Sequence, residues 1–408
     1  MSIPSLAVAL LMMAFSTTGR HDLKGVVISE TGTPVAGVDV FIESAAPRSG
    51  TSPLCPSCYA DCAKRAATNV EGAFEIPSLD PTLLFRVLCV AKGYKAKYAS
   101  KVDPAAGPLK VTLSKLDPKS IPSEKVIHGQ VLNPEGSPVV GATVEPQMFA
   151  TEAFSGFSPG IFDPVAVTDA SGEFWLISSS PIRRLDVKVE ARGLAKRIFS
   201  DLKPNKTARL RLLRGVQVSG RLVQDGKPVE GVVVGLVQVR RGIGEFVGTH
   251  EIATDAGGRF VLSNVTPNDD YYLYGKMATL NKRSALAFRA IKIGADGGRQ
   301  DLGEVSLQPA HSVSGRVVLA DGKPVPSGTQ LMVSRQEAWD WQSVMLDAEG
   351  RFLVEGIPAE EVAVNVKLKG YHLSPRNKTR DANNPSSLSG YVEQDIKGLT
   401  ILLEPGKR

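Results

Sequence analysis

Apolar and polar residues alternate along much of this chain. Leu185, Val187 and Val189 interleave with Asp186, Lys188 and Glu190, and Val362, Val364, Val366 and Leu368 form a longer series of the same period. A two-residue period puts one set of side chains on a buried face and the other in water, so these segments are predicted as half-buried β-strands. Phe85-Arg86-Val87-Leu88-Cys89-Val90 and Tyr271-Tyr272-Leu273-Tyr274 read as further strands. No stretch carries a 3.6-residue apolar stripe between helix caps. The pattern predicts an all-β protein.

The same turn chemistry returns four times between these strands. Each copy opens on Gly and a short β run and then bends. The copies are Gly25-Val26-Val27 to Pro34-Val35-Ala36-Gly37, Gly129-Gln130-Val131 to Pro138-Val139-Val140-Gly141, Gly220-Arg221-Leu222 to Pro228-Val229-Glu230-Gly231, and Gly315-Arg316-Val317 to Pro324-Val325-Pro326-Ser327. Ser327 stands where the others have Gly, which predicts a different turn there. The second half of each copy is marked by Asn69-Val70-Glu71-Gly72-Ala73-Phe74, Asp169-Ala170-Ser171-Gly172-Glu173-Phe174, Asp255-Ala256-Gly257-Gly258-Arg259-Phe260 and Asp347-Ala348-Glu349-Gly350-Arg351-Phe352. The opening Asp or Asn accepts from amides two residues on. The following Gly supplies a positive φ, and the Phe starts a strand that faces the core. The leading glycines recur about every 95 residues, a spacing that suits a complete small sandwich better than a solenoid repeat.

These residues resemble the carboxypeptidase regulatory-like domain, a transthyretin-like (prealbumin-like, Greek-key) β-sandwich of seven strands. Lys92-Gly93-Tyr94 and Lys369-Gly370-Tyr371 belong to the resemblance, with Ala191-Arg192-Gly193-Leu194 as a degenerate copy. It implies four tandem sandwiches, over 22–116, 124–214, 215–309 and 310–408, with residues 117–123 as a linker and 1–21 as a signal peptide and leader. The junctions at 214–215 and 309–311 are so short that neighbouring sandwiches should touch. The family's domain sits beside the catalytic domain of some zinc carboxypeptidases and is itself non-catalytic. Related sandwiches serve as spacers, adhesin repeats and carbohydrate-binding-like modules in exported bacterial proteins.

Composition narrows the class. Hydrophobic residues are 42% and charged residues 22% of the 408, so the chain can bury cores. The net charge of +6 is spread out, with no run of five Lys or Arg, and nucleic acid is not an expected partner. Leu6–Phe15 is an apolar run too short for a bilayer, which needs about 20 residues. It suits a secretory h-region with Ala14-Phe15-Ser16 as cleavage site, although no Lys or Arg precedes it. A secreted, envelope or periplasmic location is expected, with no transmembrane segment in the mature chain.

Candidate chemistry is sparse. None of His21, His128, His250, His311 and His372 has Glu three residues later, which excludes the zinc-peptidase pattern. Gly156-Phe157-Ser158-Pro159-Gly160 matches a nucleophile elbow in letters, but Pro159 and Pro164 discourage the helix that must follow. Asp296-Gly297-Gly298-Arg299-Gln300-Asp301 lacks the charge density of a calcium loop. No enzyme activity, metal or cofactor is expected.

Cys55, Cys58, Cys62 and Cys89 all fall in the first copy. In an exported chain they read as two disulfides, with metal binding or redox exchange as the other readings. A bridge from inward-facing Cys89 would pin the cysteine insertion onto the sandwich. Length variation concentrates in the loop between the constant motifs, where Trp339-Asp340-Trp341 could present two indoles on one face to a sugar or peptide. The plainer alternative packs them against the sheet edge. The expected function is an exported binding or adhesion protein that recognises polysaccharide or an extracellular protein. The alternatives are a structural spacer or assembly subunit, or an accessory module of a secreted peptidase.

Overall fold

The computed structural model describes residues 19–48, 59–62, 64–117, 120–156, 160–242, 244–377 and 387–406. Residues 1–18 of the expected signal peptide, Cys55, Cys58 and Ser158 lie outside them. The chain divides into two compact units, Met1–Ser120 and Ile121–Arg408. It is all-β, and its described helical turns are short 3-10 segments. Among the described residues no helix is long and apolar enough to cross a membrane.

The first unit contains seven strands: β1 (His21–Ser29), β2 (Asp39–Pro47), β3 (Arg65–Ala67), β4 (Ala73–Leu79), β5 (Leu83–Val90), β6 (Lys97–Val102) and β7 (Leu109–Leu113). They form a narrow sheet, β4-β1-β7, and a broad one, β3-β2-β5-β6. Within the narrow sheet β1 is central, antiparallel to β4 and parallel to β7. The core between the sheets includes Leu23, Val40, Ile76, Phe85 and Leu113.

The second unit repeats this arrangement three times. Its broad sheets centre on the pairs Thr143–Ala150 with Arg184–Glu190, Val233–Gln238 with Asp270–Gly275, and Gln330–Arg335 with Glu361–Val366. Its narrow sheets have Val126–Leu132, Val216–Gln224 and His311–Leu319 at their centres, each between an antiparallel and a parallel neighbour, and Val216–Gln224 also pairs antiparallel with the short Lys227–Pro228. Separate hydrophobic cores fill the three sandwiches, around Phe174, Phe260 and Phe352.

The repeated motifs have the expected backbone roles. Asn69, Asp169, Asp255 and Asp347 each accept, through Oδ1, amide bonds from the residues two and four further on, at 2.7–3.1 Å. The fourth copy's missing glycine is replaced one residue later: Gly328, at φ +83°, holds the left-handed position that Gly37, Gly141 and Gly231 hold in the others. The turn is kept and Ser327 is only displaced from it.

Candidate functional site at the sandwich junctions

Within the second unit the loops after the second strand of a sandwich, those that vary most in length, lie on the preceding sandwich. Leu185, Val187 and Val189 face the core of the second sandwich, so Asp186 faces out of its broad sheet. The third sandwich's loop covers that face: a Cβ on Gly244 would stand 3.6 Å from Met148 Cγ and 4.0 Å from an Asp186 carboxylate oxygen. Asn264 Nδ2 donates to the carbonyls of Gly193 and Arg214 at 2.9 and 2.8 Å, and Thr266 Oγ1 donates to Lys196 O at 3.1 Å. The same relationship recurs one step on. Tyr271 and Leu273 face the third core, whereas Val237 and Tyr274 face outward and are fully buried with Ala338 of the fourth sandwich's loop.

Arg335 fixes this second junction. It continues the inward alternation of Leu331 and Val333 to the end of its strand, and its side chain has no exposed surface. All five of its guanidinium N–H groups have acceptors. Nε and Nη2 donate to Glu360, the latter at 2.9 Å. Nη1 donates to Gly275 O at 2.8 Å and to Asp340 at 3.4 Å, and Nη2 to Leu286 O at 2.9 Å. The two carboxylates also reach across the junction: Met277 N–H donates to Asp340 at 2.9 Å and Phe288 N–H to Glu360 at 3.0 Å. Burial pushes the Asp340 carboxyl above its usual range, opposed by the Met277 amide and by Arg335. A buried ion cluster tolerates this desolvation only when further hydrogen bonds support it, and here the Met277 and Phe288 amides and the Gly275 and Leu286 carbonyls supply them.

The residues singled out from the sequence fall into different settings. Trp339 packs against Phe246 of the third sandwich with the rings tilted by 40° and their centroids 4.9 Å apart, and stays 44% exposed. Trp341 begins the strand Trp341–Met345 and pairs with Ser334 on the outward face of the fourth broad sheet. Asp340, between the indoles, is buried in the junction. His128 stacks on Trp175 at 4.7 Å, and Asp296 accepts from Gly215 N–H at 2.7 Å, a contact between residues distant in the chain. Among the described residues no cluster of three or more His, Cys, Asp or Glu is arranged to hold a metal ion.

The expected bridge from Cys89 is corrected: Cys89 is an unbridged thiol packed in the first core. Burial pushes its pKa up to about 12. The pinning role expected of that bridge belongs to Asp61, one residue before Cys62. Its buried carboxylate accepts from Arg20, from Lys64 Nζ at 2.8 Å and from Asp80 N–H at 2.8 Å. Sequence reasoning missed the Arg335 cluster as well, although an arginine at the third inward position of an alternating strand was a visible signal. Its acceptors on another sandwich were not.

No family model matches the sequence, and the search of curated proteins gives no match. Among solved structures the chain is similar to the minor pilin GBS52 of Streptococcus agalactiae, at 13% identity and a TM-score of 0.24, over 48% of this chain and 98% of that one. A streptococcal ancillary pilin gives 13% identity and 0.24, over 70% of this chain and 100% of the other. The TIE protein of Bacillus anthracis gives 11% and 0.20, over 94% and 73%. Likeness at this level carries no argument about function.

Proposed function

We propose that the chain is an exported, non-catalytic structural protein, a string of carboxypeptidase regulatory-like sandwiches that holds its parts in fixed relation. The Arg335 cluster carries this reading. Binding modules on flexible linkers keep their loops free for ligand, whereas here Arg335, Asp340 and Glu360 use the loop region to lock one sandwich to the next. Removing one member of a buried ion cluster leaves the others uncompensated, at a cost of about 3–5 kcal/mol. Calorimetry tests the reading. The third and fourth sandwiches are expected to melt together in the parent protein and to separate into two transitions in Arg335→Ala. Independent melting in the parent would refute it.

A second reading, recognition of polysaccharide or an extracellular protein, is supported by the exposed part of Trp339 and by Trp341 on an outward sheet face. Loss of binding to wall polysaccharide in Trp341→Ala, with the joint melting unchanged, would favour it.

A further inference from the structure

The chain's net charge of +6, expected to be spread out, is gathered in one stretch. Residues 192–214 hold eight Lys and Arg against Asp201 alone, an excess of seven, and the rest of the chain is balanced to within one charge. The fold puts this stretch on one flank of the second sandwich. Arg197–Leu202 is the edge strand of its broad sheet and Ala208–Arg211 the edge strand of its narrow sheet. Arg197 joins the two edges: its guanidinium lies 4.8 Å from the centre of the Phe199 ring, and its Nη1 donates to Arg211 O at 3.1 Å. Leu210 faces the core, so Arg209 and Arg211 face outward. The strip continues along the turn at Glu135 and Gly136. A Cβ on Gly136 would stand 3.6 Å from Arg211 Nη2, and Arg214 pairs with Glu135. It ends in an open groove of about 570 Å³, lined by Glu135, Val139, Arg192, Leu194, Arg214 and, from the third sandwich, Asn264.

The acids beside the strip are already engaged, Glu135 with Arg214, Glu190 with Lys196 at 3.3 Å and Asp201 with Lys203 at 3.2 Å. Among the described residues Arg192, Arg197, Lys206, Arg209 and Arg211 have no carboxylate partner, and all five are exposed. Uncompensated cations along one edge repel one another, and a bound polyanion relieves that repulsion. We propose that the strip and its groove bind an acidic polysaccharide, a sugar polymer carrying carboxylate or sulfate groups along its length. Four of the five unpaired cations are arginines, whose planar forks match the oxygens of both groups. The strip offers nucleic acid no stacking platform, since its one ring, Phe199, packs against the core and lies under Arg197. Binding on this flank leaves the Arg335 cluster untouched, so the structural protein gains a ligand and keeps its junctions.

Titration of the full chain with polygalacturonate, dextran sulfate and neutral dextran at about 0.15 M salt tests it. The parent protein is expected to bind one or both acidic polymers, which tells carboxylate from sulfate, and to ignore neutral dextran. Arg192→Glu/Arg209→Glu is expected to weaken that binding about tenfold or more. This variant should melt like the parent, because among the described residues neither side chain makes a hydrogen bond or ion pair. Arg289→Glu/Arg299→Glu makes the same charge change at exposed positions of the third sandwich and is expected to bind like the parent. The proposal is overturned by a parent that binds neither acidic polymer, by binding unchanged in Arg192→Glu/Arg209→Glu, or by an equal loss in the two variants. Neutral dextran or duplex DNA bound as tightly as the acidic polymers would overturn it as well. Joint melting of the third and fourth sandwiches is measured without any polymer, so failure here is distinguishable from failure of the structural reading.

Discussion

Gly129 lies directly opposite Phe174 across two paired strands, and a Cβ on the glycine would sit 2.7 Å from the phenylalanine ring. The pairing recurs as Gly25 with Phe74, Gly220 with Phe260 and Gly315 with Phe352. The ring lies over a strand that has no side chain there, and the parallel neighbour closes from the other side, with Ala208 O 2.9 Å from the same point. The repeat therefore exists because strand and ring must share one space.

Gly129→Ala is expected to destabilise the second sandwich by about 1–3 kcal/mol through overpacking. Gly141→Ala meets no atom within 4 Å and is strained only by its φ of +71°. It should cost about 1–2 kcal/mol, the left-handed penalty. Urea denaturation of the two variants checks both values. A Gly129→Ala protein as stable as the parent would contradict the packing account.

The first unit gives a chemical readout. Cys89 is fully buried and its pKa is pushed up to about 12, so native alkylation requires opening of the core. Mass spectrometry of the Cys89 peptide should show slow labelling in the native protein and complete labelling in denaturant. Asp61→Ala removes the acceptor shared by Arg20, Lys64 and the Asp80 amide, at a cost of about 1–3 kcal/mol. Faster Cys89 labelling in that variant is the expected result.

His250 makes the junction between the second and third sandwiches sensitive to acid. Burial foremost, together with Lys196 and against the opposing Glu190, lowers its pKa from 6.5 to about 4. Between those values the unfolded chain binds the proton and the folded chain does not, so stability falls as pH drops from about 6.5 to about 4. The loss attributable to this group is at most about 3 kcal/mol. His250→Phe should flatten the stability profile over this window relative to the parent. Profiles that fall in parallel would remove His250 from the account.

Local turn chemistry made much of the fold legible. The Asp169–Gly172–Phe174 spacing dictates a turn, a positive φ and an inward ring from residues close together in the chain, and each is observed. Tyr271 and Leu273 were readable as core by alternation. Tyr274 was readable as strand and core, but not which core, because what buries it includes Ala338, on another sandwich. The same separation hid one contact of Trp339: its alternation with Trp341 suggested a shared ligand face, and its ring also meets Phe246 of the third sandwich. Side chains governed by near neighbours can be read from one sequence, whereas those governed by docking need the second surface.

The amides of Met277 and Phe288 report on the junction directly, since each donates from the third sandwich to a carboxylate of the fourth. Native-state hydrogen exchange should find both as protected as the amides of the strand Asp270–Gly275 in the parent protein, and much less protected in Arg335→Ala while that strand is unchanged. If the Met277 and Phe288 amides exchange in the parent as fast as those of exposed turns, the sandwiches are not locked together and the account is wrong.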